Sequence, residues 1–355
     1  MGGESPGKGN LAELGAILVI ASAETTAGNS VSTDPERKLS GLCDLAEAPL
    51  VGMEVLGRSV IERTVELLNR YAVKTISIVA GVGYSDLGAA FRHPVEGVKL
   101  QTADNPWEAA RHVLSEYAER GIEAAFVAKL GAYMELDAEE MLHFHRQEHR
   151  AVTRAFDNQG PLDCWLVDCI GGDKTTLDSD SWARLAAQTA TYPLRGYVKR
   201  LTHPRDLRRL VVDAFLGRCK VLPTGKEIKP RVWVDEGAQV HRRARIVAPA
   251  YVGRSSTIRE DTVITRCSDV ESFCEVDYGT VIEDTSILSN SYVGIWLDVA
   301  HAVVCGNKLL NLERDVTLDV TDASMLRKSV AVRPDLSRAI PVEVAAGRLA
   351  FAPSE

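Results

Sequence analysis

VWVDEGAQVHRRARIVAPAYVGRSSTIREDTVITRCSDVESFCEVDYGTVIEDTSIL, residues 232–288, decides the C-terminal fold. An aliphatic residue recurs at every sixth position: Val234, Val240, Ile246, Val252, Ile258, Ile264, Val270, Val276, Ile282 and Leu288. Four residues after each of the first nine stands a small one, from Ala238, Ala244 and Ala250 through Ser256, Thr262 and Ser268 to Cys274, Thr280 and Ser286. A helix repeats near 3.6 residues and a lone strand at 2, so neither explains a period of six. Short strands wound into coils do. Each coil side points one aliphatic residue inward, and the small residue lets the chain turn the corner. Stacked coils bury a continuous apolar column. The spacing slips at Gly294 and resumes one residue out of phase at Val299, so residues 295–325 are expected to continue the coils irregularly.

This repeat resembles the hexapeptide-repeat, left-handed β-helix family. The left-handedness is implied by that resemblance alone, since ordinary crossovers are right-handed.

Outward from the repeat, the 355 residues suggest about two domains. A net charge of −8 argues against a broad nucleic-acid surface. The apolar run Leu14–Ala23 is too short to span a bilayer, and no signal-peptide pattern precedes it, so no membrane association is expected. Seven cysteines without a C-x-x-C pair suggest reduced thiols in a cytoplasmic protein. Residues 1–11 read as disordered. Gly2, Gly7 and Lys8 stand there at P-loop spacing, but Gly9 replaces the required Ser/Thr. The strand-like 16–21 is followed by a polar loop, a helix over 58–72, a strand over 74–81, a helix over 105–121, a strand over 124–130 and a helix from Ala138. This alternation argues for a mostly parallel sheet covered by helices.

The order AILVIASAETTAGN, APLVGMEVLGRSVIERTVELLNRYAVKTISIVAG, LGAYMELDAEEMLHFH, GYVKRLTHPRDL and then the repeat resembles that of a sugar nucleotidyltransferase (NDP-sugar pyrophosphorylase). The layout is similar to GDP-mannose pyrophosphorylase-like proteins across residues 14–325. The resemblance implies an α/β fold: a Rossmann-like nucleotidyltransferase domain over 12–222, a linker over 223–230, a left-handed parallel β-helix over 231–325 and a tail over 326–355. It also implies a reaction of a nucleoside triphosphate with a sugar 1-phosphate, with Mg²⁺ as cofactor.

Position by position, the family's chemistry is missing. Its Gly-rich phosphate loop corresponds to Ser22, Ala23, Glu24, Thr25, Thr26 and Ala27, where only Thr26 matches and Cβ atoms obstruct close backbone approach. Its Lys-Pro-Leu is Ala48-Pro49-Leu50. The strand-end Gly-Asp that holds the metal is Gly131-Ala132. The second metal carboxylate falls at Arg200, after Lys199. A shift of alignment by a residue or two would make Asp137 the ligand, although Leu136-Asp137-Ala138 fits better as a helix N-cap. Ser22, Ala23, Thr25, Thr26, Gly131, Ala132, Lys199 and Arg200 are therefore expected to form a vestigial nucleotide pocket without a catalytic residue, a metal or another cofactor. Lys199 and Arg200 could substitute for the metal's charge and hold an anion.

Three functions follow. The first is a catalytically impaired homologue in nucleotide-sugar or polysaccharide metabolism, regulating or scaffolding, with an active paralogue, a nucleotide or a nucleotide sugar as partner. The second is an active but divergent transferase, which alone would need Mg²⁺. The third is a hexapeptide-type acyltransferase using His301 as base. Homo-oligomers are expected through the β-helix. His145-Arg146-Gln147-Glu148-His149 spells an inverted zinc-protease motif, for which a solvated helix is the plainer reading. Cys164 and Cys169 read as half-buried small residues.

Overall fold

The computed structural model describes residues 14–21, 45, 49–71, 73, 75–81, 84, 91–92, 95, 97–170, 189–329 and 342–344. Residues 1–11 lie outside that set. The fold is α/β, with a parallel-rich sheet in the N-terminal part and many short strands after it.

The apolar run read first as too short for a membrane is β1 (Leu14–Ile20), buried at every position. After it come a two-stranded ribbon of β2 (Glu54–Val55) and β3 (Arg58–Ser59), then helix α1 (Val60–Arg70). Next are β4 (Thr75–Gly81), β5 (Val98–Ala103), α2 (Pro106–Glu119), β6 (Ala124–Lys129) and β7 (Ala132–Met134). They are followed by α3 (Ala138–Glu148), β8 (Val152–Asp157), β9 (Gly160–Asp168), β10 (Ala190–Pro193), β11 (Val198–Arg200) and α4 (Pro204–Phe215). The main sheet runs β10-β8-β9-β6-β1-β4-β5, with Val342–Val344 on the far edge beside β5. β6–β9 and β8–β9 are antiparallel; every other pair is parallel.

Helix starts are written locally. Ser59, Asn105 and Asp137 each accept a hydrogen bond from a first-turn N–H, and His203 with Asp206 closes a capping box on α4. Alternation along β1 sends Ala16, Leu18 and Ile20 into one apolar cluster, which includes residues of α1 and α3. Ile17 and Val19 join the opposite cluster, which includes Trp107, Val113 and Tyr117 of α2. The sheet is thus covered on both faces, as parallel-rich sheets require.

The repeat region forms three parallel stacks of two- to four-residue strands. One stack holds Val232–Val234, Ala250–Val252, Asp269–Val270, Ser286–Ile287 and Ala302–Cys305. The other two begin at Gln239–Val240 and Arg245–Ile246. Up to the last strand of each stack, a strand pairs in parallel with the next one in its stack, as Val240 opposite Ile258 and Ile246 opposite Ile264; Ser291–Val293 and Ala302–Cys305 instead pair antiparallel with Leu326–Lys328 and Lys308–Asn311. Ile258, Ile264, Val270, Val276 and Ile282 are at most 1% exposed. Burying such a side chain contributes about 1.5–3 kcal/mol each.

One detail of the repeat is corrected. Val270 pairs with Ile287, Val276 with Val293 and Ile282 with Val299, all 17 residues apart instead of 18. One residue is therefore missing between Ile282 and Ile287, ahead of Gly294. Ile287 faces the coil interior, while Leu288 joins the apolar cluster of the α/β part. Corner residues with positive φ mark the same slip: Ser255, Asp261, Cys267, Phe273 and Gly279, then Asp284, Asn290 and Trp296. The small residues after these corners do more than make room. Ser256 Oγ accepts from Cys274 N at 2.9 Å and donates to Glu271 O at 2.6 Å. Thr280 and Thr285 make the same kind of link to Leu297 N and Ala302 N in the next coil.

The coils and the α/β part meet through buried polar groups. Glu271, fully buried, accepts from Leu56 N at 2.6 Å and Gly57 N at 2.9 Å. Gly57 has φ +89°, and a Cβ there would lie 2.0 Å from Thr224 Oγ1, so only glycine allows this approach. Arg208 of α4, 3% exposed, donates to Cys267 O at 2.7 Å and Asp284 Oδ1 at 2.6 Å, with buried Asp269 3.4 Å away. Arg92 grips Asp235 with both terminal nitrogens at 2.5 and 2.8 Å.

Candidate functional site

β6 lies beside β1 in the interior of the sheet, and its C-terminal end opens the candidate site. Ligands of open α/β sheets bind beyond such strand ends. The chain leaves β6 through Leu130 and Gly131 into β7, which pairs antiparallel with β11. In that ladder Ala132 stands directly opposite Arg200, and Tyr133 opposite Lys199. Gly196 is required just before β11, because a Cβ there would meet Glu135 O at 2.0 Å.

A small cleft of about 190 Å³ opens here. Gly131, Ala132 and Arg200 line it together with Lys129 and Asp163, and Ala21 brings the end of β1 to its edge. Ser22, Ala23, Thr25 and Thr26 lie outside the described residues. Lys199 is next to the cleft in sequence but not on it. Adjacent strand residues point to opposite faces, and its ammonium sits 3.5 Å from Asp213, which also accepts from Tyr197 OH at 2.7 Å.

Arg200 is not a free cation. Its two terminal nitrogens reach Asp157 at 2.5 and 3.0 Å, and it also donates to Gln159 Oε1 at 3.0 Å. The hydrogen-bonded guanidinium holds the Asp157 carboxyl below its usual range and is itself raised. Asp163 accepts from Arg154 at 3.1 Å. A guanidinium, an ammonium, a methyl group and one carboxylate already shared with an arginine do not make the oxygen-rich shell that Mg²⁺ demands. The described residues at this strand end therefore do not fit that ion.

Asp157, Lys129 and Asp163 carry no motif, and sequence reasoning missed them. Asp157 precedes a hairpin turn, but its partner is 43 residues away.

The other candidates resolve individually. Asp137 caps α3, accepting from Glu140 N at 3.0 Å. His145 is buried, its ring nitrogens 2.7 Å from Thr153 Oγ1 and 3.0 Å from Asp168 Oδ1, whereas His149 is exposed at the left-handed C-cap of α3. No three His, Cys, Asp or Glu side chains converge on a metal position among the described residues. Cys164 and Cys169 are fully rather than half buried, and burial pushes the Cys164 thiol up to about 12. His301 sits at a coil corner with Nδ1 2.7 Å from Asp284 Oδ2.

No family model and no curated protein matches this chain.

Proposed function

We propose that the protein is a nucleotidyltransferase-type homologue of nucleotide-sugar or polysaccharide metabolism that has lost turnover and acts by regulating or scaffolding an active paralogue. The carrying observation is Arg200, which stands across the ladder from Ala132 and is bound on both terminal nitrogens by Asp157. On the resemblance, both positions would hold metal carboxylates. A methyl group and a neutralised guanidinium supply neither the metal nor the charge stabilisation that phosphoryl chemistry needs. On this reading the main sheet with its helices is a Rossmann-like nucleotidyltransferase domain. The three-stack repeat is a β-helix, a reading supported by strand partners 18 and then 17 residues apart, with left-handedness resting on the resemblance. No disulfide joins the six described cysteines, which supports the cytoplasm as compartment.

The test is a coupled pyrophosphate assay with common nucleoside triphosphates and sugar 1-phosphates, with and without Mg²⁺. No turnover is expected. A rate near about 1 s⁻¹, ordinary for an enzyme, would overturn the reading. Calorimetry with the same nucleotides and with nucleotide sugars then separates a silent binding pocket from an empty scaffold.

The coil stack is also proposed as the self-association surface. It exposes Val247, Ile295 and Trp296, at 42%, 56% and 68%. Light scattering should give a closed oligomer that Trp296→Glu weakens; a full-length monomer would remove this role.

One observation favours a second reading, the acyltransferase. Asp284 orients the half-exposed ring of His301, as a carboxylate orients a general base. Thiol release from an acyl thioester, abolished by His301→Ala, would support it over the first.

A further inference from the structure

The sheet that contains Val232–Val234 and Ala302–Cys305 has two outermost strands, Lys226–Lys229 and Val316–Asp319. Every residue of both is exposed. An outermost strand offers its unpaired backbone N–H and C=O groups to another chain, and proteins commonly blunt it with lysine or proline. Lys226–Lys229, K-E-I-K, is blunted by a lysine at each end. Val316–Asp319, V-T-L-D, carries neither residue, and its one charge, Asp319, is already held by Asn307 Nδ2 at 2.6 Å.

The ladder on its inner side decides which groups face outward. Val316–Asp319 pairs antiparallel with Lys308–Asn311, Leu318 opposite Leu309 and Thr317 opposite Leu310. Val320 N continues that ladder by donating to Asn307 O at 2.8 Å. Hydrogen-bonded and non-hydrogen-bonded pairs alternate in an antiparallel ladder. Val316, Leu318 and Val320 therefore bond inward, and the N–H and C=O groups of Thr317 and Asp319 point to the open edge. Among the described residues no strand pairs there. Val316, Leu318 and Val320 also share one face of the strand. Val320 packs on the apolar column of the coils, whereas Val316 and Leu318 are 47% and 50% exposed.

We infer that this edge pairs antiparallel with the same edge of a second copy, about a two-fold axis at Leu318. A two-fold axis normal to the sheet sets one residue opposite its own copy, so each residue of the strand defines a register. An axis at Asp319 opposes two carboxylates. An axis at Thr317 sets Asp315 opposite the partner subunit's Asp319, and an axis at Val316 sets Glu313 opposite the partner subunit's Asp319. Like charges directly opposite are destabilising. The axis at Leu318 has no such clash. It sets Leu318 against the partner's Leu318, Val316 against the partner's Val320 and Arg314 against the partner's Asp322. Thr317 and the partner's Asp319 then form a hydrogen-bonded pair, which uses the outward backbone groups. Such strand addition is self-complementary and closes at two copies. The contact includes none of Val247, Ile295 and Trp296, and it rests on the self-association proposed above only in requiring an oligomer.

The experiment is mild oxidation of the full chain carrying Leu318→Cys. A directly opposed, non-hydrogen-bonded pair brings its Cα atoms to about 4.5 Å, within the range a disulfide spans. A disulfide-linked dimer is expected above the background that the native cysteines give in the unaltered chain. Thr317→Cys, which does not face its own copy in this register, should link far less. Thr317→Pro removes the outward N–H and leaves the bonds to Lys308–Asn311 in place, and Leu318→Lys sets two ammonium groups against each other. Each should weaken dimerisation in analytical ultracentrifugation by about tenfold or more, with circular dichroism unchanged. Trp296→Glu should leave the link at Leu318→Cys intact. Oligomers that persist without that link would overturn this contact and leave the coil-face reading standing. A monomeric full chain, a stronger link at Thr317→Cys, unchanged dimerisation in both edge variants, or loss of the link in Trp296→Glu would also overturn it. So would assembly that keeps growing with concentration, the mark of Val316–Asp319 pairing with Lys226–Lys229 of the next copy.

Discussion

Replacing Arg208 by methionine keeps the apolar stem of the side chain on α4 and removes the guanidinium from the joint between the two parts. Four acceptors lose their donor: Cys267 O, Arg266 O, Asp284 and Asp269. Asp284 is partly exposed and keeps His301. Asp269 is 1% exposed, its Oδ1 would keep only Ser286 Oγ, its Oδ2 has no partner even with Arg208 in place, and fully buried Glu271 is nearby. Burial raises the Asp269 carboxyl from 3.8 to about 6, with Arg208 acting against the rise. Breaking a buried pair by removing one partner costs about 3–5 kcal/mol, and that is the deficit expected at pH 7.5. At pH 5, below its native pKa, Asp269 is largely protonated in either protein. Only the lost hydrogen bonds remain there, about 1–3 kcal/mol. Urea denaturation followed by tryptophan fluorescence at both pH values measures the difference. A deficit that is equal at pH 5 and 7.5, or below about 1 kcal/mol at pH 7.5, would refute the account of this joint.

The remaining expectations concern pH, packing and the repeat. A carboxyl whose native pKa is raised binds its proton more tightly when folded, so stability falls as pH rises from the unfolded value to the native one. Glu62, lifted by burial to about 7, and Asp269 therefore lower stability between about pH 4 and 7, and Glu62→Gln should flatten the slope of denaturation midpoint against pH. Gly57→Ala should destabilise by more than about 1 kcal/mol, because a Cβ would meet Thr224 and Tyr251 within 2.2 Å; an unchanged melting temperature would count against the close approach. Ile287→Ala should cost about 2–5 kcal/mol and raise hydrogen exchange throughout the coils, whereas Leu288→Ala should loosen chiefly the contact with the α/β part. Thr280→Val, which removes the hydroxyl link to Leu297 N, should cost about 1 kcal/mol, read by chemical denaturation.

How far the sequence carried can be seen residue by residue. A period of six is written in the chain because every coil side sends one side chain to the same apolar column, a constraint repeated locally without knowledge of distant residues. The helix starts at Ser59, Asn105 and Asp137 are local for the same reason, since a cap needs only the next three amides. Ala132 and Arg200 could be named as the wrong residue types for a metal. Their placement across one ladder, and the Asp157 that neutralises Arg200, came from the structure, because ion pairs between residues 43 apart leave no pattern in a single chain. The same holds for Glu271 and the amides of Leu56 and Gly57, more than 200 residues away. Even the periodic signal was ambiguous at Ile287-Leu288, where either aliphatic residue could have faced inward. Backbone geometry decided it: the left-handed corner at Asp284 and the pairing of Ile287 with Val270 leave that side chain alone aimed at the column, and turn Leu288 toward the α/β core.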